Sequence, residues 1–443
     1  MLTVSSTVLW GVAHLATDRR KTGVALMAAY LLMIAGILVL FTAYSSHLLS
    51  LAVQPRWLIV LTVALVVIAL AWTSVIVWSF LLVRPPRSDT IGRFLTTTLT
   101  VALCALILAP TAYATRLTYL SRDVVNTLFP SSNGSPILAT DPWNGANRVN
   151  FLLLGGDSAP GRPGVRTDSV TVASVDTKTG ATTLFGLPRN LQRVQLPAGP
   201  ARNRFPAGFT GSGPDTPGLL NEIFQFGEDH PDLVPGVQKG KRGPALIKQT
   251  VSDILGIPVH YYALVDMRGF AQMIDAMGGV RVTIKQPIVY GRYREGLLPA
   301  GTRKLTGSEA LWFGRSRTDS DDYARMGRQK CLLNAVAKQA NPMTVLNSFE
   351  QLAAATKRTI STDIPQEVLP AVVELAQKVK GAKMRSLSFV PPLINTADPD
   401  WHLIRRKVAE ALDARQPKPA TDVRTPAATQ SPDNPISLDA TCG

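Results

Sequence analysis

Cysteine is scarce: the chain has three among 443 residues, Cys104, Cys331 and Cys442. Cys104 lies inside a long apolar run and reads as a small packing residue. At most one disulfide therefore remains to be made. Acidic residues are also in deficit, 31 Asp and Glu against 46 Lys and Arg. A basic chain suggests nucleic acid first, but no basic helix interleaved with aromatic residues is present to bind it. No small-residue cleavage site follows the first apolar run, which excludes a removed signal peptide.

What is present begins with three uncharged runs, residues 23–44, 57–83 and 94–115. Each exceeds the ~20 residues a helix needs to cross ~30 Å of hydrocarbon. The sequence thus predicts three N-terminal transmembrane helices. Arg19, Arg20 and Lys21 precede the first run, and Arg84, Arg87 and Arg93 separate the second from the third. The segment 45–56 carries only Arg56. Positive residues stay on the cytoplasmic side, so the N-terminus is inside and everything after about residue 116 is outside. That describes a multi-pass protein of the cytoplasmic membrane with an extracytoplasmic domain. Residues 2–17 are apolar but too short to cross, and read as a surface helix or an incomplete span. Residues 1–116 hold 8 basic and 2 acidic residues; taking these from 46 and 31 leaves 38 and 29 outside, a net +9. Such a domain attracts anionic membrane lipid and phosphates.

Residues 117–148 are polar, contain "PSSNGSP", and read as a stalk. A domain over 149–413 follows. "VNFLLLG" has the continuous apolarity of a strand buried on both faces. "SVTVASVD" and "TTLFGLP" are strands joined by the turn "TKTG". Residues 199–243 are rich in Gly and Pro and read as a long irregular segment. Beyond them, helices such as "ALIKQTVSDILG" and "MRGFAQMIDAMGG" alternate with strands such as "VHYYALVD" and "VRVTI". Thr306 and Glu309 form a capping box before "ALWFGR". A long helix from Tyr323, helices near 343–357 and 366–380, the strand "MRSLSFV" and a last helix near 401–413 complete the pattern. The fold class is α/β: three transmembrane helices, then an α/β/α layered domain with a central mixed sheet. Residues 414–443 are Pro-, Ala- and Thr-rich and read as a disordered tail.

The chemistry gathers around "LLLGGDSAPGRPGVRTDSV", residues 152–170. Polar residues just past strand ends form the sites of open α/β sheets. Asp157 ends one strand and Asp168 begins the next, eleven residues on. Two carboxylates brought together repel unless a cation or proton lies between them. Mg²⁺ suits the pair, since it is held by one or two carboxylates plus substrate phosphates. Arg166, Arg189, Arg315, Arg317, Arg325 and Arg328 all follow apolar elements. Any one of them alone reads as a surface ion pair. As a set they balance that reading against a diphosphate pocket built from guanidinium forks.

Four stretches in order, "NFLLLGGDSAPGRPGVRTDSVTV", "LFGLPRN", "LTGSEALWFGRSR" and "DYARMGRQ", resemble the signatures of the LytR-CpsA-Psr family, from about 150 to 340. The resemblance implies an enzyme, a membrane-tethered phosphotransferase (ligase). It would move a glycopolymer from a polyprenyl diphosphate carrier onto peptidoglycan, with Mg²⁺, or Mn²⁺ in its place, at the diphosphate. It implies that Asp157 and Asp168 hold the metal. It implies that Arg166, Arg189, Arg315 and Arg317 clamp the diphosphate, with Arg328 and Gln329 near it. Asp322 matches the aspartate before "R-x-x-R-Q", and it or Asp168 would assist proton removal. The chain departs from the family at Pro188-Arg189-Asn190, where Pro-Arg-Asp is usual, and at Leu219-Leu220, where a lysine is common before the residue matching Asn221. These changes bear on rate and substrate more than on reaction class.

Two other readings stand beside this one. A polyprenyl diphosphate phosphatase would use water as acceptor. A non-catalytic envelope regulator would need a cytoplasmic signalling part, and the predicted cytoplasmic segments are too short to supply it. For the cysteines outside the membrane two readings carry equal weight. Cys331 and Cys442 pair, tying the tail to the helix that starts near Tyr323, or Cys331 is a buried helix residue and Cys442 a loose thiol.

Overall fold

The computed structural model describes residues 9–16, 19–43, 51, 53–83, 90–132, 140–157, 164–211, 213, 216–340, 360–413 and 434–442. The chain divides into two compact units, 1–127 and 128–443. The first is built on α1 (Arg20–Ala43), α2 (Pro55–Val83) and α3 (Thr90–Leu128). All three are long and apolar enough to cross a membrane. Their large side chains point outward on every side, among them Leu32, Val67 and Val101. Water would not tolerate so much exposed apolar surface, whereas lipid does. Trp10, Tyr30 and Trp72 meet pairwise with centroids 5.6–5.9 Å apart, two of the three contacts edge-on.

The expected stalk over 117–148 is helical for its first twelve residues, because α3 runs on to Leu128. Leu117, Leu120, Val124 and Leu128 recur at helical spacing and carry the helix past its apolar run.

The second unit is organised by a seven-stranded mixed sheet. Its strands are β1 (Arg148–Asp157), β2 (Arg166–Asp176), β3 (Thr182–Leu187), β4 (Tyr261–Asp266), β9 (Ile360–Thr362), β10 (Met384–Ser388) and β11 (Ile436–Ser437). Their order across the sheet is β11-β10-β3-β2-β1-β4-β9. The pairs β1–β4 and β3–β10 are parallel; the rest are antiparallel. Between β4 and β9 lie two small two-stranded sheets, β5 (Val280–Ile284) with β8 (Gly301–Leu305), and β6 (Ile288–Tyr290) with β7 (Gly296–Leu298).

Both faces of the main sheet are covered, as continuous apolar strands require. Leu152, Leu154, Val172, Phe185 and Leu187 pack against α5 (Arg242–Leu255) and α10 (Trp401–Asp413). The part of residues 199–243 expected to be irregular contributes here through α4 (Ile223–Asp229) and three short helical turns, with Phe224 and Phe226 in the same core. On the opposite face Ala173, Val175 and Leu184 meet α8 (Asp322–Gln339) and α9 (Leu369–Gly381). The α6 (Met267–Ala276) and α7 (Gly307–Arg315) helices form a further core with β5 and β8. The capping box at Thr306 and Glu309 is made in both directions. The helix expected near 343–357 lies outside the described residues.

The tail differs from expectation. Residues 434–442 return to the domain: Ile436 and Ser437 add β11 to β10, and α11 (Leu438–Cys442) packs on α8. Cys442 is disulfide-bonded to Cys331 of α8, with alpha carbons 5.3 Å apart. Asp439 pairs with Lys338 and accepts from Asn334 at 3.3 Å. The apolar residues of "NPISLDATCG" are few, but Ile436 belongs to an edge strand and Leu438 and Cys442 to one hydrophobic cluster. The bond closes a separation of 111 residues. In the chain-entropy account such a loop contributes up to about 4–5 kcal/mol. Cys442→Ser should therefore lower the melting temperature of the detergent-solubilised chain and release β11 and α11 to rapid hydrogen exchange. An unchanged melt and protected amides in both variants would show that the staple is redundant.

Candidate active site

Asp157 stands at the carboxyl end of β1 and Asp168 near the start of β2. Their neighbourhood follows from the strand register. Gly155 pairs with Ser169 and Gly156 with Thr167, so Asp168 is an extra residue opposite the glycine pair. A bulge of this kind re-aims the side chain it carries. Asp157, Arg166 and Asp168 thereby line one cavity together.

That cavity, about 650 Å³, lies between the sheet and helices α6, α7 and α8. Its walls are Leu153, Val265, Phe270, Met273, Leu311, Leu332 and Val336, among others. Its polar end gathers Asp157, Arg166, Asp168, Arg189, Arg315, Arg317, Arg325 and Gln329. A second cavity of about 540 Å³ shares Arg166, Arg189 and Arg317 with the first. Its other walls are polar, with Asn190, Asn221, Ser320, Asp321 and Asp322, apart from Leu219 and Tyr323.

The arginines are held by carboxylates. Arg189 Nη1 donates to Asp168 Oδ1 at 2.7 Å, and its Nε to Asp322 Oδ2 at 2.9 Å. Arg317 reaches Asp322 at 3.2 Å and Arg325 reaches it at 3.1 Å. Arg325 also donates to the Asp168 carbonyl at 3.2 Å. Arg315 lies 3.8 Å from Asp157, its guanidinium beside the Trp312 ring. Burial pushes the Asp322 carboxyl up, but the guanidinium groups of Arg325, Arg189 and Arg317 outweigh that and hold it below the usual carboxylate range.

Of the residues singled out in the sequence, Asp157, Asp168, Arg166, Arg189, Arg315, Arg317 and Gln329 line the apolar cavity. Asp322 lines the polar one. Arg328 stands apart. It donates to the carbonyls of Phe313, at 2.8 Å, and of Ser316, and to Ser320 Oγ, so it caps the end of α7 instead of facing either cavity. The sequence counted Arg325 in the set of arginines but the resemblance gave it no role; it is 4% exposed yet bridges Asp168 and Asp322. Its place three residues after Asp322 on one helix was the available signal. Lys330, one turn further, is also 4% exposed and bonds Ser388 Oγ beside Gly186. Burial pushes its pKa down to about 8.

Asp157 and Asp168, the two residues expected to hold a metal, line one cavity. Among the described residues no group of three or more His, Cys, Asp or Glu gathers to make an all-protein cage.

An apolar cavity closed at one end by guanidinium groups and two carboxylates thus sits in a mixed α/β domain, in a chain with three membrane-length helices. The sequence model of the LytR_cpsA_psr family matches residues 119–396, and the chain belongs to the LytR-CpsA-Psr family. It is 29% identical over 227 residues to the polyisoprenyl-teichoic acid–peptidoglycan teichoic acid transferase TagU of Oceanobacillus iheyensis. That match covers 51% of this chain and 62% of the relative, so about two fifths of that relative has no counterpart in it. The TagU of Bacillus cereus strain AH820 is 26% identical over 250 residues, 56% of this chain and 68% of that one. The crystal structure of B. subtilis TagV aligns with 60% of this chain and 98% of its own, at 24% identity and a TM-score of 0.43.

Two outcomes follow from the charges. The lowered pKa of Asp322 means that its contribution to stability is complete above the unfolded value, ~4. That contribution is lost as pH falls through the lower folded value. Asp322→Asn should flatten the acid limb of the stability profile, and a limb identical to wild type would contradict the ion cluster. Lys330 has the opposite sign. Below pH 8 it is charged and buried, which costs stability; between about 8 and 10 the unfolded chain binds the extra proton and stability rises with pH. Lys330→Met should stabilise the domain at pH 7 by up to about 3 kcal/mol, with the gain shrinking across that window. A pH-independent gain would mean that folding does not shift the Lys330 pKa.

Proposed function

We propose that this domain is a phosphotransferase that moves a glycopolymer from a polyprenyl diphosphate carrier onto peptidoglycan at the outer face of the cytoplasmic membrane. The observation that carries this reading is the row of guanidinium groups, Arg166, Arg189, Arg315 and Arg317, at the mouth of the apolar cavity. A ligand with a hydrocarbon tail and a diphosphate head satisfies both ends. The tail lies along Leu153, Phe270, Leu311 and Val336, and the head meets the arginines as bidentate forks.

Asp157 and Asp168 would hold Mg²⁺, which supplies charge neutralisation at the diphosphate. Arg189 and Arg317, fixed by Asp322, stabilise the charge that develops on the leaving phosphate. The acceptor hydroxyl gives up its proton, which the departing carrier phosphate takes, and its oxygen bonds to the sugar-side phosphorus. The bond from that phosphorus to the bridging oxygen breaks, and the carrier leaves as polyprenyl monophosphate. Asp322, paired with three guanidinium groups, is too weak a base to take the proton and acts as a positioning residue.

The polar cavity beyond the arginines favours transfer over hydrolysis. The side-chain amides of Asn190 and Asn221 line it, a residue type that hydrogen-bonds sugar hydroxyls. Water as acceptor needs no such space. The teichoic acid transferase names of the relatives support the same reaction class. The basic flanks of the predicted spans support an N-terminus inside and the domain outside.

The test is polymer transfer by the purified full chain, given lipid-linked donor, Mg²⁺ and peptidoglycan. Asp157→Ala and Asp168→Ala should each cost on the order of 10²–10³-fold. Arg315→Lys keeps the charge but loses the fork, and should weaken donor binding with the fold intact. Phosphate release without polymer on peptidoglycan would replace this reading by a phosphatase. Near-normal turnover in either aspartate variant would remove the metal assignment.

A further inference from the structure

The β6–β7 hairpin is accounted for by neither cavity. Its loop, "GRYRE" at 291–295, turns through left-handed backbone at Gly291 and Arg294. Tyr293 at its tip is 76% exposed and Leu297 is 55% exposed, the two large apolar side chains left most open to solvent in the second unit among the described residues. Arg292 stands over the Tyr293 ring, 5.6 Å from its centroid. The charge around them is one-sided. Between Val280 and Leu305 stand Arg281, Lys285, Arg292, Arg294, Arg303 and Lys304 against Glu295 alone. Arg294 pairs with Asp319 at 3.0 Å, and all six cations are exposed.

The hairpin is also tied to the site. Tyr290 stacks on Trp312 at 5.1 Å, Arg315 lies over the other ring of that pair, and Ser316 donates to the Val289 carbonyl at 2.5 Å. The patch is therefore fixed beside the arginine that meets Asp157. An exposed tyrosine and leucine ringed by arginine and lysine match a lipid–water interface. The ring sits at headgroup depth, the leucine enters the acyl boundary, and the cations meet anionic headgroups.

We propose that the 288–298 hairpin docks on an anionic lipid surface, with Tyr293 and Leu297 entering the interface and Arg292, Arg303 and Lys304 meeting the headgroups. Docking there would hold the mouth of the apolar cavity close to the bilayer surface, where a lipid-borne head group is presented. The binding stands whether or not the domain transfers polymer.

The test uses the full chain in nanodiscs. Cys104→Ala with Tyr293→Cys gives one free thiol, since Cys331 and Cys442 are paired. An environment-sensitive fluorophore at position 293 should emit further to the blue in phosphatidylglycerol-containing discs than in phosphatidylcholine discs. Raised salt, or Arg292→Glu with Arg303→Glu, should return the emission to that of water. The unlabelled wild-type chain supplies a second reading: amides of 291–297 should exchange more slowly in anionic discs than in neutral ones. Water-like emission together with equal exchange in both compositions would overturn the proposal. A response to soluble peptidoglycan fragments in detergent, with none to lipid, would overturn it in favour of a glycan-binding hairpin.

Discussion

Five guanidinium groups cannot crowd together in one place unless something of opposite charge holds them, and Asp322 does this for three of the cluster. It accepts from Arg189, Arg317 and Arg325 at once, from the first turn of α8. Arg189 passes the restraint to Asp168 in β2, and Arg325 passes it to the Asp168 backbone. A loop after β3, the start of β2 and the start of α8 are thereby locked into one geometry. Elements 133 residues apart in the chain depend on one carboxylate. The interaction is strong for a physical reason: the pairs are half-buried, charge-assisted and share hydrogen bonds, unlike exposed ion pairs that solvent screens.

Arg166, Arg189 and Arg317 of that neighbourhood line both cavities. On one side the sheet presents Leu153 and Val265 and the helices present Phe270, Leu332 and Val336. On the other stand Asn190, Asn221 and the Ser320–Asp322 turn.

Much of this was legible in the sequence. The strands over 149–155, 169–176 and 182–188 were readable because each is a short apolar run bounded by turns, and α7 because its capping box is local. The site residues at strand ends were readable because open sheets place polar side chains there. What escaped has a common cause: it depends on where a side chain points. Arg325 and Arg328 share one face of α8 at a spacing of three, yet one enters the ion cluster and the other caps the carbonyls of α7. Nothing in composition separates them; the packing of α7 against α8 does. The bulge that turns Asp168 into the cavity is a property of register. The returning tail escaped because about twenty Pro-rich residues precede the few that pair with β10.

Lys330 extends the same logic to the floor of the site. It lines the small space beneath Asp168 and Arg189 with Gln329 and Met326. Its stem crosses β3 at Gly186, where an added Cβ would come within 2.8 Å of the lysine Cε. An alanine there would meet the ends of the Lys330 and Met326 side chains, so the lysine head would have to shift from its place on the strand. A buried ammonium bonded to a serine hydroxyl is costly, and the sequence retains it directly under two groups of the ion cluster. The positive potential it adds lies behind Asp168 and Arg189, on the side away from solvent, where low dielectric makes it most effective. Positive charge at the site therefore comes from depth as well as from its rim. The arginines at the mouth give it shape, and the lysine behind them gives it a field that surface salt does little to screen.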